Sequence, residues 1–87
     1  NINAEVIIFT KKEHVQIIDY IVKQFKRDAK WWEAKCGYTE EKTYMTIVIL
    51  SKYECAQLRR ELKQIDEHAF VVEKDGLNIM GRFEKHL

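Results

Sequence analysis

Apolar residues in this chain fall into short runs with two periods. Glu5-Val6-Ile7-Ile8-Phe9 and Thr46-Ile47-Val48-Ile49-Leu50 are strand-sized and rich in β-branched residues. Each is followed at once by a helix-start signature, Thr10-Lys11-Lys12-Glu13 and Ser51-Lys52-Tyr53-Glu54. In both, the hydroxyl can accept from the backbone N–H three residues on, while the Glu reaches back to the N–H of the capping residue. The same order appears twice: strand, capping box, amphipathic helix, strand.

The elements follow from this pattern. Residues 4–9 read as a first strand and residues 12–26 as a helix. Val15, Ile18, Val22 and Phe25 form its apolar stripe with Ile21 at the edge, and Gln16, Asp19, Lys23 and Lys26 lie opposite. The polar cluster Lys26-Arg27-Asp28 ends it. Residues 29–38 read as a second strand, with Trp32, Ala34 and Cys36 pointing one way and Trp31, Glu33 and Lys35 the other. Thr39-Glu40-Glu41-Lys42 is a polar turn into a third strand at 43–50, and the short loop predicts a hairpin. Residues 52–65 form a second helix with Leu58, Leu62 and Ile65 on its seam and Cys55 a turn earlier. Residues 69–74 are a fourth strand, Asp75-Gly76 a turn, and 77–80 a short helical or irregular piece before Gly81.

The order β-α-β-β-α-β predicts one α+β domain over residues 1–87. Its fold is a ferredoxin-like sandwich: a four-stranded antiparallel sheet with two helices on one face. Two helices cover only one face of such a sheet. If Trp32 joins the core, Trp31 decorates the open face, where an exposed apolar patch would mark a partner surface.

Composition narrows the classes. The chain has 87 residues, 46% hydrophobic and 33% charged, which suits one small folded domain and not a disordered segment. Net charge is +1, with both signs mixed along the chain, so there is no one-sided basic field of the kind that binds nucleic acid. The longest uninterrupted apolar run is Ile47-Val48-Ile49-Leu50, far short of the ~20 residues a membrane span needs, so this segment is not expected to insert directly. Two cysteines, Cys36 and Cys55, form no disulfide framework and point to reduced thiols in the cytoplasm.

Candidate chemistry is sparse. His14, His68 and His86 are not spaced with each other or with the cysteines as metal ligands, so solvated histidines and no metal are expected. Cys55 on a helix seam and Cys36 beside Trp32 read as core filler rather than nucleophiles. The carboxylates Glu40, Glu41, Glu61, Asp66 and Glu67 show no pairing for acid–base work. The chain is therefore read as a non-enzyme without a cofactor. The best binding candidate is the hairpin tip, residues 37–42. There Tyr38 could stack on a ring, Thr39 could donate to an anion and Lys42 could supply charge, beside the permissive Gly37. A plain hairpin loop is the competing reading.

From residue 5 to 83 the chain resembles the soluble C-terminal domain of YitT-type bacterial membrane proteins, a domain of unknown function. Val6-Ile7-Ile8 with Thr10 is similar to that family's opening strand and cap. Glu33-Ala34-Lys35-Cys36-Gly37-Tyr38-Thr39, with Lys42 after it, is similar to its middle motif. Ile65-Asp66-Glu67-His68-Ala69-Phe70-Val71 matches the acidic turn into the last strand, and Gly81-Arg82-Phe83 the ending. The chain departs from the family pattern at Ala34, Cys36 and Glu40, where that pattern carries glycines. The resemblance implies a ferredoxin-like, PII-like fold and a cytosolic regulatory role in a parent protein of the cell membrane. In PII-like folds the connection between the second and third strands is an effector loop.

The expected function is a non-catalytic regulatory or sensor module that binds a small effector or a partner protein. Its ligand site would be Gly37, Tyr38, Thr39 and Lys42, with a second patch near Gly81 and Phe83 and an interface at Trp31. A homo-oligomer or the parent membrane domain is the expected partner. The alternatives are a purely structural oligomerisation domain or, more weakly, a small-substrate enzyme.

Overall fold

The alternation in the first apolar run is an alternation of burial. Ala4, Val6, Ile8 and Thr10 are buried, while Asn3, Glu5, Ile7 and Phe9 are half-buried. A computed structural model describes residues 3–11, 14–76 and 78–81. Its elements are β1 (Asn3–Thr10), α1 (His14–Phe25), β2 (Lys30–Lys35), β3 (Lys42–Ser51), α2 (Lys52–Ile65) and β4 (Phe70–Lys74). The strands form one antiparallel sheet in the order β2-β3-β1-β4. This is the expected ferredoxin-like βαββαβ arrangement.

Register decides which residues face the helices. Val6 pairs with Val48, Ala4 with Leu50 and Ile8 with Thr46, and all six are buried. Against them pack Ile17, Ile21 and Phe25 of α1 and Cys55, Leu58 and Leu62 of α2, forming one core. Both helices therefore lie on the same side of the sheet.

The second capping box forms as predicted. The Glu54 N–H donates to Ser51 Oγ at 3.2 Å, and the Ser51 N–H donates to Glu54 Oε1 at 2.8 Å. The α2 bounds and its Leu58–Leu62 seam also match expectation. Glu13, the reciprocal partner in the first box, lies outside the described residues, and Thr10 Oγ1 is buried with no hydrogen-bond partner among the described residues.

The stripe predicted for α1 is out of phase. Val15 is 61% and Val22 43% exposed, and Ile18 is half-buried; the buried row is Ile17, Ile21 and Phe25. The expected stripe runs in spacings of three and four and the buried row in fours; the two share Phe25, with Ile21 at the expected edge, so the sequence allowed either, and packing against β3 and α2 selects the second. The helix ends one residue early because Lys26 turns left-handed (φ 57°) while its N–H donates to the Val22 carbonyl at 3.1 Å.

The second strand is shorter than expected and turned over. Trp32 pairs with Met45 and Trp31 with Thr46. Thr46 points at the helices with Val48 and Leu50, so Trp31 shares the helix side and Trp32 the open face. The expectation that Trp31 decorates the open face is corrected: the hairpin register sets the facing, and hydrophobicity cannot choose between two tryptophans. Trp31 lies at the sheet's edge, 46% exposed, with its ring 6.3 Å from that of Tyr44. Cys36 lies past the end of β2 and is half-buried, not a core residue. Residues 78–80 carry no regular structure.

Candidate functional site

The hairpin tip is a tightly closed turn. The Glu40 N–H donates to the Cys36 carbonyl at 2.8 Å, and the Cys36 N–H donates to the Glu41 carbonyl at 2.8 Å. Glu40 adopts φ 61°, the left-handed region that glycine enters most easily, at one of the positions where the resembling family carries glycine. Thr39 Oγ1 is engaged within the turn, accepting from the Glu41 N–H at 3.2 Å. Tyr38 is 90% exposed, and Lys42 Nζ lies 3.9 Å from Glu33 Oε2. The ring, the hydroxyl and the cation that the sequence placed together are thus directed to solvent, to the turn backbone and to β2. Gly81 is exposed with φ 101°, and Phe83 lies outside the described residues, as do the His14 side chain and His86.

A larger feature is the sheet face away from the helices. On it β1 places Ile7 and Phe9, β3 Met45, Ile47 and Ile49, β4 Phe70 and Val72, and β2 Trp32. Two rows cross all four strands. Phe70, Phe9, Met45 and Trp32 form one by direct pairing, and Val72, Ile7, Ile47 and Lys30 the next. Phe9 and Phe70 have ring centroids 5.6 Å apart. Trp32 is 42% and Phe70 62% exposed, so the row is open to solvent. Four strands at ~4.8 Å make it roughly 19 Å wide.

At one end of this face lies an open cleft of about 780 Å³. Phe9 and Phe70 form its apolar wall with Ile65. Thr10, Thr43 and Lys11 come from the ends of β1 and β3, and Asp66, Glu67 and His68 from the turn into β4. Thr43 Oγ1 donates to the Thr10 carbonyl at 3.0 Å, which ties the end of β1 to the start of β3 beside the cleft. Lys11 Nζ donates to Glu41 Oε2 at 2.8 Å, and this hydrogen bond raises the ammonium pKa above its ordinary value. The His68 N–H donates to Asp66 Oδ1 at 3.0 Å, which fixes the turn. Sequence reasoning missed this cleft, because its walls come from three segments far apart in the chain.

The helix side offers less chemistry. Arg27, from the polar cluster that ends α1, lies 3.5 Å from Glu54 Oε1, with both side chains largely buried. That carboxylate also caps α2, so the pair ties the α1–β2 connection to the α2 start. Burial pushes the Cys55 thiol up to about 11, which keeps it protonated and suits a packing role. Among the described residues no group of three or more His, Cys, Asp and Glu side chains is placed to hold a metal ion, and no helix is long and apolar enough to cross a membrane.

Comparison with known proteins agrees with this architecture. The chain is 28% identical over 75 residues to the UPF0750 membrane protein YvjA of Bacillus subtilis (strain 168). The match takes in 86% of this chain but 26% of that protein, so the chain spans about a quarter of its relative's length. A functionally unknown protein from Pediococcus pentosaceus ATCC 25745 superposes with a TM-score of 0.77 at 11% identity, over 94% of this chain and 97% of that one. An uncharacterized DUF2179 protein from Eubacterium ventriosum superposes with a TM-score of 0.65 at 17% identity, over 82% and 97%. At these identities the two structures speak for the fold. Residues 31–81 match the family described as "Uncharacterized protein conserved in bacteria (DUF2179)", and the chain belongs to that family.

Proposed function

We propose that this chain is a regulatory module without chemistry of its own, which acts by docking its open sheet face onto a protein partner. The observation that carries this reading is the pair of largely apolar rows crossing all four strands with no covering element among the described residues. Apolar faces of this extent on small domains mark interaction surfaces. The membrane-protein relative supports placing the module beside a membrane, and two free thiols fit its cytoplasmic side. The test is site-specific photocrosslinking in the cell, with the photoreactive residue at Val72 on the open face or at Lys23 on the exposed side of α1. Protein crosslinks several-fold more frequent from position 72 are expected. Equal yields from the two positions would refute the reading.

A second reading has its own observation: an open cleft walled by Phe9, Phe70 and Ile65, with Lys11, Asp66, Glu67 and His68 also lining it. It favours a small effector that combines a ring with polar groups. Thermal-shift screening of the wild type and Phe70→Ala checks it. A ligand that raises the melting temperature of the wild type and equally that of the variant places the effector elsewhere.

A further inference from the structure

We infer that the occupant of the open face is a second copy of this chain, packed sheet to sheet about a two-fold axis. This rests on the docking reading above and names its partner. The first support is charge. The rim of the face carries both signs: Glu5 and Lys74 pair across β1 and β4 at one end, Lys30 lies on the β2 edge, and Lys11 follows β1 at the other end. A strongly acidic or strongly basic partner finds no matching field there, whereas a copy of the same surface brings both signs with it.

The second support is the arrangement of the rows. Consider a two-fold axis across the strands, between the row of Phe9 and the row of Ile7. It lays Phe70, Phe9 and Met45 over Val72, Ile7 and Ile47 of the partner subunit, large rings against β-branched side chains. The same operation sets the ammonium of Lys30 against the ring of Trp32 of the partner subunit, a cation–π contact, because these two residues occupy equivalent places in adjacent rows. It also brings Glu5 toward Lys11 of the partner subunit, since Glu5 and Lys11 are equally far in sequence from Ile8 at the axis, Lys11 just past the end of β1 where its ammonium already meets Glu41. One operation thus matches apolar with apolar and acid with base. Sheets stacked this way pack ~10 Å apart with their strands nearly aligned.

The third support is size. A face roughly 19 Å wide and two to three rows deep falls below the ~800 Å² per partner of a standard stable interface, so the dimer is weak in free solution. Carriage by a larger membrane protein would hold copies in one plane and raise their effective concentration, where a weak self-contact suffices.

Sedimentation velocity of the chain from about 10 μM to about 1 mM tests this, over the range in which a small interface populates its dimer. The expected result is a concentration-dependent shift from the 10.5 kDa monomer toward twice that mass. Val72→Lys, at an exposed position, should abolish the shift with an unchanged circular dichroism spectrum. In a half-labelled sample, intermolecular NOEs should connect Ile7 methyls to the Phe9 ring. A wild type that stays monomeric at the highest concentration overturns the proposal, as does a monomer that instead sediments with anionic vesicles. If the wild type is monomeric while crosslinks from position 72 still exceed those from position 23 in the cell, the second copy is refuted and the docking reading stands. If both fail, both readings fall.

Discussion

The phase of α1 is the sharpest point at which structure and pattern part, and a pair of substitutions measures it. Ile17 is fully buried against β3 and α2, while Val15, two residues earlier, is 61% exposed. Ile17→Ala removes buried methyl and methylene groups from the core cluster that also holds Ile21, Leu50 and Leu58, a close-packed set that cannot all move in to fill the gap. Transfer and cavity terms together come to about 2–4 kcal/mol. Val15→Ala takes away side-chain surface that is already mostly wet, and should stay within about 0.5 kcal/mol. In a domain of this size each kcal/mol moves the melting temperature by roughly 4–8 °C, so the two variants should differ by at least about 6 °C. Urea denaturation followed by tryptophan fluorescence provides the free energies, provided that the m-value is unchanged. Equal losses, or a larger loss at Val15, would show that the helix presents its other row to the sheet.

Three further outcomes are expected. Lys26→Gly and Glu40→Gly each relieve a left-handed residue with a side chain, and should stabilise by up to about 1 kcal/mol, measured by the same denaturation. Thr46→Val removes a fully buried hydroxyl that has no hydrogen-bond partner among the described residues, and should stabilise by about 1 kcal/mol; a loss would show that the hydroxyl has a partner. The Cys55 thiol, raised to about 11 from an ordinary 9.0, keeps its proton in the fold longer than in the unfolded chain. Its contribution to stability is therefore fully present below pH 9 and lost between about 9 and 11, and at pH 8 a thiol reagent should label Cys36 before Cys55.

What the sequence made legible was local. The α2 cap needs only Ser51 and Glu54, three residues apart, and its seam has one apolar row, so both were readable. In α1, Val15, Ile17, Ile18, Tyr20, Ile21, Val22 and Phe25 crowd twelve residues, and so wide an apolar arc leaves the row at its centre to be chosen by packing. The Arg27–Glu54 pair joins residues 27 apart with no intervening signal, and the cleft joins the ends of β1 and β3 to the turn after α2. The Glu40 backbone could be anticipated only through the glycine that the resembling family places there. Non-local pairing decides the helix phase, the ion pair and the cleft, while the Glu40 conformation is set inside its own turn.

The two tryptophans carry the same lesson to function. In the monomer Trp31 and Trp32 are 46% and 42% exposed, so quenching by a small solute cannot tell them apart. They differ in the side of the sheet they occupy: Trp32 stands in the row with Met45, Phe9 and Phe70, and Trp31 beside Tyr44 at the edge of the helix side. Covering the open face must therefore change the surroundings of Trp32 alone. In single-tryptophan chains, Trp31→Phe should show an emission maximum that moves to shorter wavelength as concentration rises, while Trp32→Phe should show none. Phe at position 31 or 32 keeps a ring at the sheet edge, so both variants should retain the fold. A blue shift confined to the Trp32→Phe chain would mean that the surface used is the sheet edge on the helix side, around Trp31 and Tyr44. The open face would then lose its claim, whatever its hydrophobicity suggests.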